Sequence, residues 1–338
     1  MNTEPAGLPV ALRLRPHHRL LRVTPDRVRL GYVHAAVDVA ELSAPLWHLM
    51  QLLPRRTGWR TVELISAGVA LGAAPDEVTE LLGRLHAAGA LRDGTALARR
   101  DSARAQARVL VEGAGPLLVE VAAGLAQAGV GRIAVRAPAG IAREHAGSGR
   151  VRALLAEART RAGSAGDVVS ALALGTPDLV VFTDLLTPDP RHRLDLHHEK
   201  ITHLVVQLVD GRGRIGPLVL PGRSSCLHCA DLHRADGDEG WPIIAARAGE
   251  LMGSASTATL QATAGFAVGQ AAGFIDALAT GSHPPTCVDA VLTLDTDAGT
   301  MCRDRWPAHT DCDCGAPTVV ATRENPRRPA ACTQRATR

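Results

Sequence analysis

Two short cysteine pairs set the tightest condition on how this chain folds: Cys226-Leu-His-Cys229 and Cys312-Asp-Cys314. Each pair offers two thiols from one tight turn. A fold that brings the turns together presents thiolates at ~2.3 Å from a tetrahedral Zn²⁺ and leaves no coordination position open. Such a closed site is structural, and because thiols must ionise to bind metal, folding of the carboxy-terminal half is expected to couple to zinc. Disulfides or unligated thiols are the competing assignments, and His228 and His309 are the substitute ligands should one cysteine drop out. The chain has 7 cysteines, an odd number, and clustered cysteines of a reducing compartment are more often metal ligands than disulfides. Residues 1–16 hold no apolar run of signal-peptide length, Arg13 and Arg15 interrupting what there is, so a cytoplasmic location is expected.

At 338 residues with 46% hydrophobic side chains, the chain can bury one large core and a smaller one. Aromatics are only 2%, so Leu, Val, Ala and Ile must fill those cores, which favours helices packed on a sheet over a sandwich or barrel. The net charge of +3 is small, and Lys200 is the only lysine, so no polybasic argument for nucleic acid arises. The longest apolar stretch, 243–278, includes Arg247, Glu250, Gln261, Gln270 and Asp276 and reads as a buried helix pair rather than a membrane span.

The spacing predicts short strands at 12–15, 20–23 and 28–30, helices over 41–53, 59–71 and 76–88, and a closing wing strand at 90–92. In the third helix Val78, Leu81, Leu82 and Leu85 make one stripe, with Pro75 before it and Gly89 after it. Residues 1–92 therefore read as a small winged-helix-like α+β module. Residues 93–107, rich in Arg and Ala, read as a linker. Residues 108–315 read as a doubly wound, Rossmann-like α/β domain with the zinc site, and 316–338 as a disordered basic tail.

The α/β domain opens with the strand Arg108-Val-Leu-Val-Glu112, the turn Gly113-Ala-Gly115, an apolar helix over 117–128 and a second strand at 132–135. Further strands are expected at 179–182, 202–208 and 290–294. A phosphate loop of the G-x-G-x-x-G kind needs three glycines; here Gly113 and Gly115 are present, Leu118 takes the third place, and Pro116 removes one backbone N–H. The turn is thus open to either a nucleotide-binding or a purely structural role.

Taken together, the run from Arg108 to Val135, the segment Asp178-Leu-Val-Val-Phe-Thr-Asp184 and the two cysteine pairs resemble the ThiF and ubiquitin-activating superfamily of adenylyltransferases, over residues 108 to about 315. Residues 213–229, with Trp241-Pro242, look like the branch of leader-peptide-binding proteins in thiazole/oxazole-modified microcin biosynthesis. The amino-terminal module is similar to the PqqD-like peptide-recognition element that branch can carry. The resemblance implies Mg-ATP at Gly113, Gly115 and Asp184, with Asp184 holding the metal and acting as the catalytic candidate of an active enzyme. Where the family places acids, however, this chain has Arg136 and Pro138; no Arg-Gln pair follows, and Lys200 lies on the wrong side of Asp184. Phosphoryl and adenylyl transfer depend on such charges, so loss of ATP chemistry is expected unless Arg143, Arg150 or Arg152 stands in.

The resemblance further implies a non-catalytic protein that binds the leader of a ribosomally made precursor peptide, presents it to a partner cyclodehydratase, and forms a homodimer. The alternative is an active adenylyltransferase acting on a peptide or ubiquitin-like carboxyl terminus. For the leader, the expectation is strand addition beside Arg27, Val28, Arg29, Leu30 and Tyr32, with apolar side chains laid on Val78, Leu81, Leu82 and Leu85. DNA reading by the third helix is disfavoured by Asp76, Glu77 and Glu80 in its early turns. A packing or dimerisation role is the plain alternative for this module. Cys287 and Cys302 are the remaining nucleophile candidates, with a buried apolar role the commoner one.

Overall fold

The computed structural model describes residues 7–33, 36–55, 57–138, 149–165, 167–249 and 251–318. Arg143 and the segment 319–338 lie outside them, as do the side chains of Arg150 and Arg152. The chain divides into two compact units, Met1–Asp101 and Ser102–Arg338.

Among the described residues of the first unit are the strands β1 (Ala11–Leu14), β2 (Leu20–Thr24), β3 (Arg27–Leu30), β4 (Val37–Val39), β5 (Trp59–Arg60) and β6 (Leu91–Asp93). They form two antiparallel three-stranded sheets, ordered β5-β1-β6 and β2-β3-β4. Helices Ala44–Leu52, Thr61–Ala70 and Pro75–Ala87 supply the rest of the core. Helix Pro75–Ala87 forms where the stripe predicts it. Pro75 fits the first turn, where its missing N–H has no intrahelical partner, Glu77 accepts from the Ala74 N–H, and Gly89 takes the left-handed conformation beyond the end. Val78, Leu81, Leu82 and Leu85 are all buried, each worth about 1.5–3 kcal/mol of transfer free energy. Strand β4 is an element the spacing does not predict. It pairs with β3 and makes β3 the middle of its sheet.

The segment read as a linker is a helix, Gly94–Gln106. Its few bulky apolar residues argue against a core role, but Ala and Arg are strong helix formers, and the Asp93 carboxylate accepts from the Thr95 and Ala96 N–H groups at its start. It buries no residue fully.

The second unit is built on an eight-stranded sheet. Its first strands in chain order are β7 (Arg108–Glu112), β8 (Arg132–Arg136), β9 (Asp167–Ser170), β10 (Leu179–Phe182) and β11 (Thr202–Val209). They pair in parallel in the spatial order β11-β10-β7-β8-β9. The central strands β7 and β10 are near-continuous Val/Leu runs because helices cover both faces. Helices Pro116–Gln127, Gly149–Ala162 and Thr257–Thr280 lie on one face, and Pro190–His198 and Leu227–Gly237 on the other. Three antiparallel strands, β12 (Arg212–Val219), β13 (Ala290–Asp295) and β14 (Thr300–Arg305), extend the sheet beyond β11.

The apolar stretch at 243–278 becomes two helices, Trp241–Ala248 and Thr257–Thr280. The longer one is apolar enough to cross a bilayer by length and composition. Its buried side, including Leu260, Ala264, Ala267, Ala271 and Ile275, belongs to the main core. Ser256 caps its start by accepting from the Thr259 N–H, and Gly281 closes its end at φ 66°.

Candidate metal centre and nucleotide crevice

The fold brings Cys226, Cys229, Cys312 and Cys314 together. The Sγ atoms stand 3.7 Å apart for Cys226–Cys229, 3.6 Å for Cys226–Cys312 and 3.7 Å for Cys229–Cys314. Four sulfurs at ~2.3 Å from one tetrahedral ion are about 3.8 Å apart, so the donor set fits a single Zn²⁺-sized cation. Cys226 is the N-cap of helix Leu227–Gly237 and accepts from the Cys229 N–H at 3.4 Å. Cys312 and Cys314 come from the segment after β14. His197 Nε2 donates to the Cys314 carbonyl at 3.1 Å, which fixes that turn against helix Pro190–His198.

The hydrogen bond from the Cys226 thiol, ahead of other causes, pushes Cys229 down to about 4, while Cys226 moves up and burial pushes Cys312 up to about 12. Ion binding would displace protons from these thiols. The substitute ligands fall away. His228 is exposed, and His309 Nε2 bonds the Asp236 carboxylate at 3.0 Å while its Nδ1 accepts from the Asp311 N–H. Nδ1 is occupied as an acceptor and Nε2 carries the proton, so the trio His233, Asp236 and His309 offers no free lone pair on His309.

The second constellation lies where the strand order reverses, between the carboxyl ends of β7 and β10, the place where open α/β sheets hold their ligands. Gly113 and Gly115 leave β7 there, and Thr183 and Asp184 leave β10. Asp184 is buried and left-handed at φ 69°. Its Oδ1 accepts from the Leu117 N–H at 3.1 Å and its Oδ2 from the Leu118 N–H at 3.3 Å and the Thr183 hydroxyl at 2.9 Å. The carboxylate therefore occupies the amino-terminal end of helix Pro116–Gln127, the position a phosphate would take. Burial nonetheless raises its pKa, against the pull of these bonds. A Cβ on Gly113 would meet the Thr183 hydroxyl first and then Asp184 Oδ2 at 2.5 Å, so this glycine makes room for both side chains.

Beside it, Arg136 at the end of β8 donates through Nε to Glu112 Oε2 at 2.7 Å, and its Nη2 lies 2.8 Å from His192 Nε2. His192 Nδ1 lies 3.3 Å from Glu112 Oε1 and packs edge-on to Phe182. A cation thus stands where the family resemblance calls for an acid, neutralised by buried Glu112. Spacing gives no signal for this network, because its members come from separate strand ends and a helix. Lys200 precedes β11 and lies at the opposite, amino-terminal edge of the parallel strands.

The residues expected to bind peptide are placed differently from the expectation. Val28, Leu30, Val78, Leu81, Leu82 and Leu85 form the first unit's own core and offer no surface to a ligand. Strand addition beside Arg27–Leu30 is also closed, because β2 and β4 already flank β3. Arg27 and Arg29 face outward and both bond Asp38, Arg29 through two nitrogens at 2.9 and 2.8 Å. Tyr32 is 83% exposed. Among the described residues the edges of this sheet are β2 and β4, and β2 carries exposed Leu21 and Val23. Cys287 is buried with its thiol pushed up to about 12 by burial, and Cys302 is disulfide-bonded, so neither presents a reactive thiolate.

The parallel order with its switch-point crevice defines a doubly wound, Rossmann-like α/β fold. Among solved structures, the chain is similar to Escherichia coli MccB crystallised with AMPCPP and MccA, at a TM-score of 0.61 and 12% identity, over 91% of this chain and 100% of that one. It is similar to the heterocyclase TruD at a TM-score of 0.60 and 17% identity, over 91% of this chain and 43% of that one. A heterocyclase in complex with substrate and cofactor matches at a TM-score of 0.58 and 17% identity, over 90% of this chain and 39% of that one. The chain therefore spans about two-fifths of those heterocyclases and the whole of MccB. No family model and no curated protein sequence matches it.

Proposed function

We propose that this protein binds the leader of a ribosomally synthesised precursor peptide and presents it to a partner cyclodehydratase, with its nucleotide crevice retained as structure rather than as an ATP site. The observation that carries the non-catalytic half is the Asp184 carboxylate on the Leu117 and Leu118 N–H groups. A phosphate must displace it from the helix terminus, Pro116 contributes no donor, and Arg136 is committed to Glu112. The peptide half is supported by the shared fold with MccB, solved with MccA, and with a heterocyclase solved with its substrate. It is supported too by the open sheet edges of the first unit, which allow main-chain pairing with an extended segment. Zinc on the cysteine cluster holds the second unit together in this reading, and two copies of the chain associate in the cytoplasm.

Calorimetric titration of the full chain with Mg-ATP tests the reading. No saturable heat is expected. Micromolar binding that disappears in Asp184→Asn would instead favour the adenylyltransferase reading. Pull-down of a precursor peptide together with a cyclodehydratase by the full chain tests the other half.

A further inference from the structure

The sheet β5-β1-β6 of the first unit turns Leu12, Leu14 and Leu91 into the core. Alternation along the strands therefore puts Arg13 and Arg92 on the opposite face, where they stand directly across from each other. Arg15 follows the same alternation, because its backbone N–H still bonds the Ala90 carbonyl at 3.0 Å. Arg60 shares this face, opposite Ala11. His17 and His18 come next in the chain. Burial lowers the pKa of His18, and the nearby charges of Arg15, Arg92 and His17 lower it further, so these four groups form one cluster.

Little in the protein answers these charges. From Ala11 to Pro25 the chain holds four arginines and two histidines with no aspartate or glutamate. Asp101 meets Arg13 at 3.6 Å, but its side chain is 70% exposed, so it offsets little. Arg15 Nη2 lies 3.6 Å from where a Cβ on Gly89 would stand, beside the carboxyl end of helix Pro75–Ala87, whose dipole favours a cation there. Arg92 is exposed, and neither Arg15 nor Arg92 makes a side-chain hydrogen bond or ion pair among the described residues. Like charges set across neighbouring strands destabilise a sheet, which points outside the protein for the counter-charge.

The geometry narrows what can supply it. Side chains two apart on an extended chain recur every ~6.8 Å on one face, and Arg13 and Arg15 share that spacing. Carboxylates at alternate positions of an extended peptide therefore match them, and guanidinium forks suit carboxylate oxygens. Duplex nucleic acid draws on about six to ten phosphate contacts, more than this short face offers.

We propose that the arginine face of sheet β5-β1-β6 receives an acidic segment of this protein's peptide partner, with Arg15 and Arg92 each taking a side-chain carboxylate. The partner's identity rests on the peptide-binding reading above; the face does not.

The full chain is titrated at low ionic strength with a labelled Glu-Ala-Glu-Ala-Glu peptide and, separately, with its Gln-Ala-Gln-Ala-Gln counterpart, while anisotropy is followed. Saturable binding that weakens with added salt is expected for the glutamate peptide only. Arg15→Gln and Arg92→Gln should each weaken it about fivefold, and Arg247→Gln, at an exposed arginine of the second unit, should leave it unchanged. The bound peptide should also protect Arg15 and Arg92 of the unaltered chain from phenylglyoxal, read by mass spectrometry, so the outcome does not hang on how the variants fold. Binding of this kind without capture of any precursor peptide keeps the face and removes the leader reading. Absence of saturable binding, an equal response to the glutamine peptide, unchanged affinity in folded variants, no protection, or tighter binding of a single-stranded oligonucleotide of equal charge overturns the assignment.

Discussion

A Cβ built on Gly115 would stand 2.5 Å from Asp184 Oδ1 and 2.9 Å from Asp184 Cγ. Gly115 itself has φ −131°, an extended conformation open to any residue, so proximity rather than backbone freedom demands a glycine here. The two residues form one device. The carboxylate caps the helix only if nothing projects from the turn.

That relationship predicts coupled substitutions. Gly115→Ala alone should destabilise the chain by about 2 kcal/mol, since the carboxylate is held by several donors and cannot yield freely. In an Asp184→Ala background, the same change should cost much less. Urea denaturation of the four forms of the double-mutant cycle measures the coupling. Additive effects would mean that the glycine answers to something other than Asp184.

The cysteine cluster predicts zinc close to one ion per chain, because its four sulfurs all lie within 4.8 Å of one another and can serve as the four donors of a single ion. Cys312→Ser should remove the ion and cost on the order of 4 kcal/mol in the second unit, as loss of a structural metal does. Plasma emission analysis of protein purified under reducing conditions, paired with thermal melts before and after chelation, checks both. Metal-free protein that melts unchanged would leave the cysteines as packing residues.

These two sites differ in how far they can be read from sequence. The cysteine pairs are legible because thiolate chemistry imposes its own spacing, and the central strands are legible because burial on both faces writes an unbroken apolar run. The crevice is legible only as a location: Gly113, Gly115 and Asp184 can be placed, but the capping role of Asp184 depends on a left-handed backbone and on N–H groups far away in sequence. Arg136, Glu112 and His192 meet through the sheet order, which no local pattern encodes. In the first unit, Val78, Leu81, Leu82 and Leu85 do form one face, yet a face that can bind a ligand and a face that fills a core carry the same periodicity. Strand β4 leaves no trace in the pattern because its three residues are too few to show alternation.

Arg104 and Asp276 predict a further stability effect. Arg104 Nε and Nη2 bond both oxygens of Asp276, at 2.7 and 2.6 Å, and Nη1 bonds the Ala128 carbonyl. This ties the end of helix Gly94–Gln106 to helix Thr257–Thr280. Asp276 is 5% exposed, so Arg104→Ala removes two charge-assisted hydrogen bonds from a buried carboxylate and should cost about 3 kcal/mol. A loss below about 1 kcal/mol in denaturant titration would show that the pair is exchanged readily for water.

Strand addition predicts how leader binding should fail. An extended leader paired with an open edge gains affinity from main-chain hydrogen bonds, so methylating alternate amide nitrogens of the peptide in one of the two registers should weaken binding about tenfold. If β2 is the edge used, Leu21→Asp with Val23→Asp should weaken it as well, since both side chains are exposed and their loss leaves the core intact. Leu82→Ala acts on the core instead and should lower stability by about 2–5 kcal/mol. Fluorescence anisotropy with a labelled precursor peptide reads the affinities. Full affinity for both methylated registers would rule out pairing at either edge.

His203 predicts the pH dependence of the second unit. It is 1% exposed, its Nδ1 lies 3.0 Å from the Ile201 carbonyl, and burial holds its pKa at about 4 against an ordinary value of 6.5. Below pH 6.5 the unfolded chain takes up a proton at this residue that the folded chain refuses, so stability must fall as pH drops and level off once the folded form is protonated near pH 4. The shift corresponds to a loss of about 3 kcal/mol across that window. His203→Leu should flatten the slope between those limits whatever it does to stability at neutral pH, because the titrating group is gone from both states. Urea unfolding of both proteins at several pH values gives the two slopes, and equal slopes would show that His203 is not the group responsible.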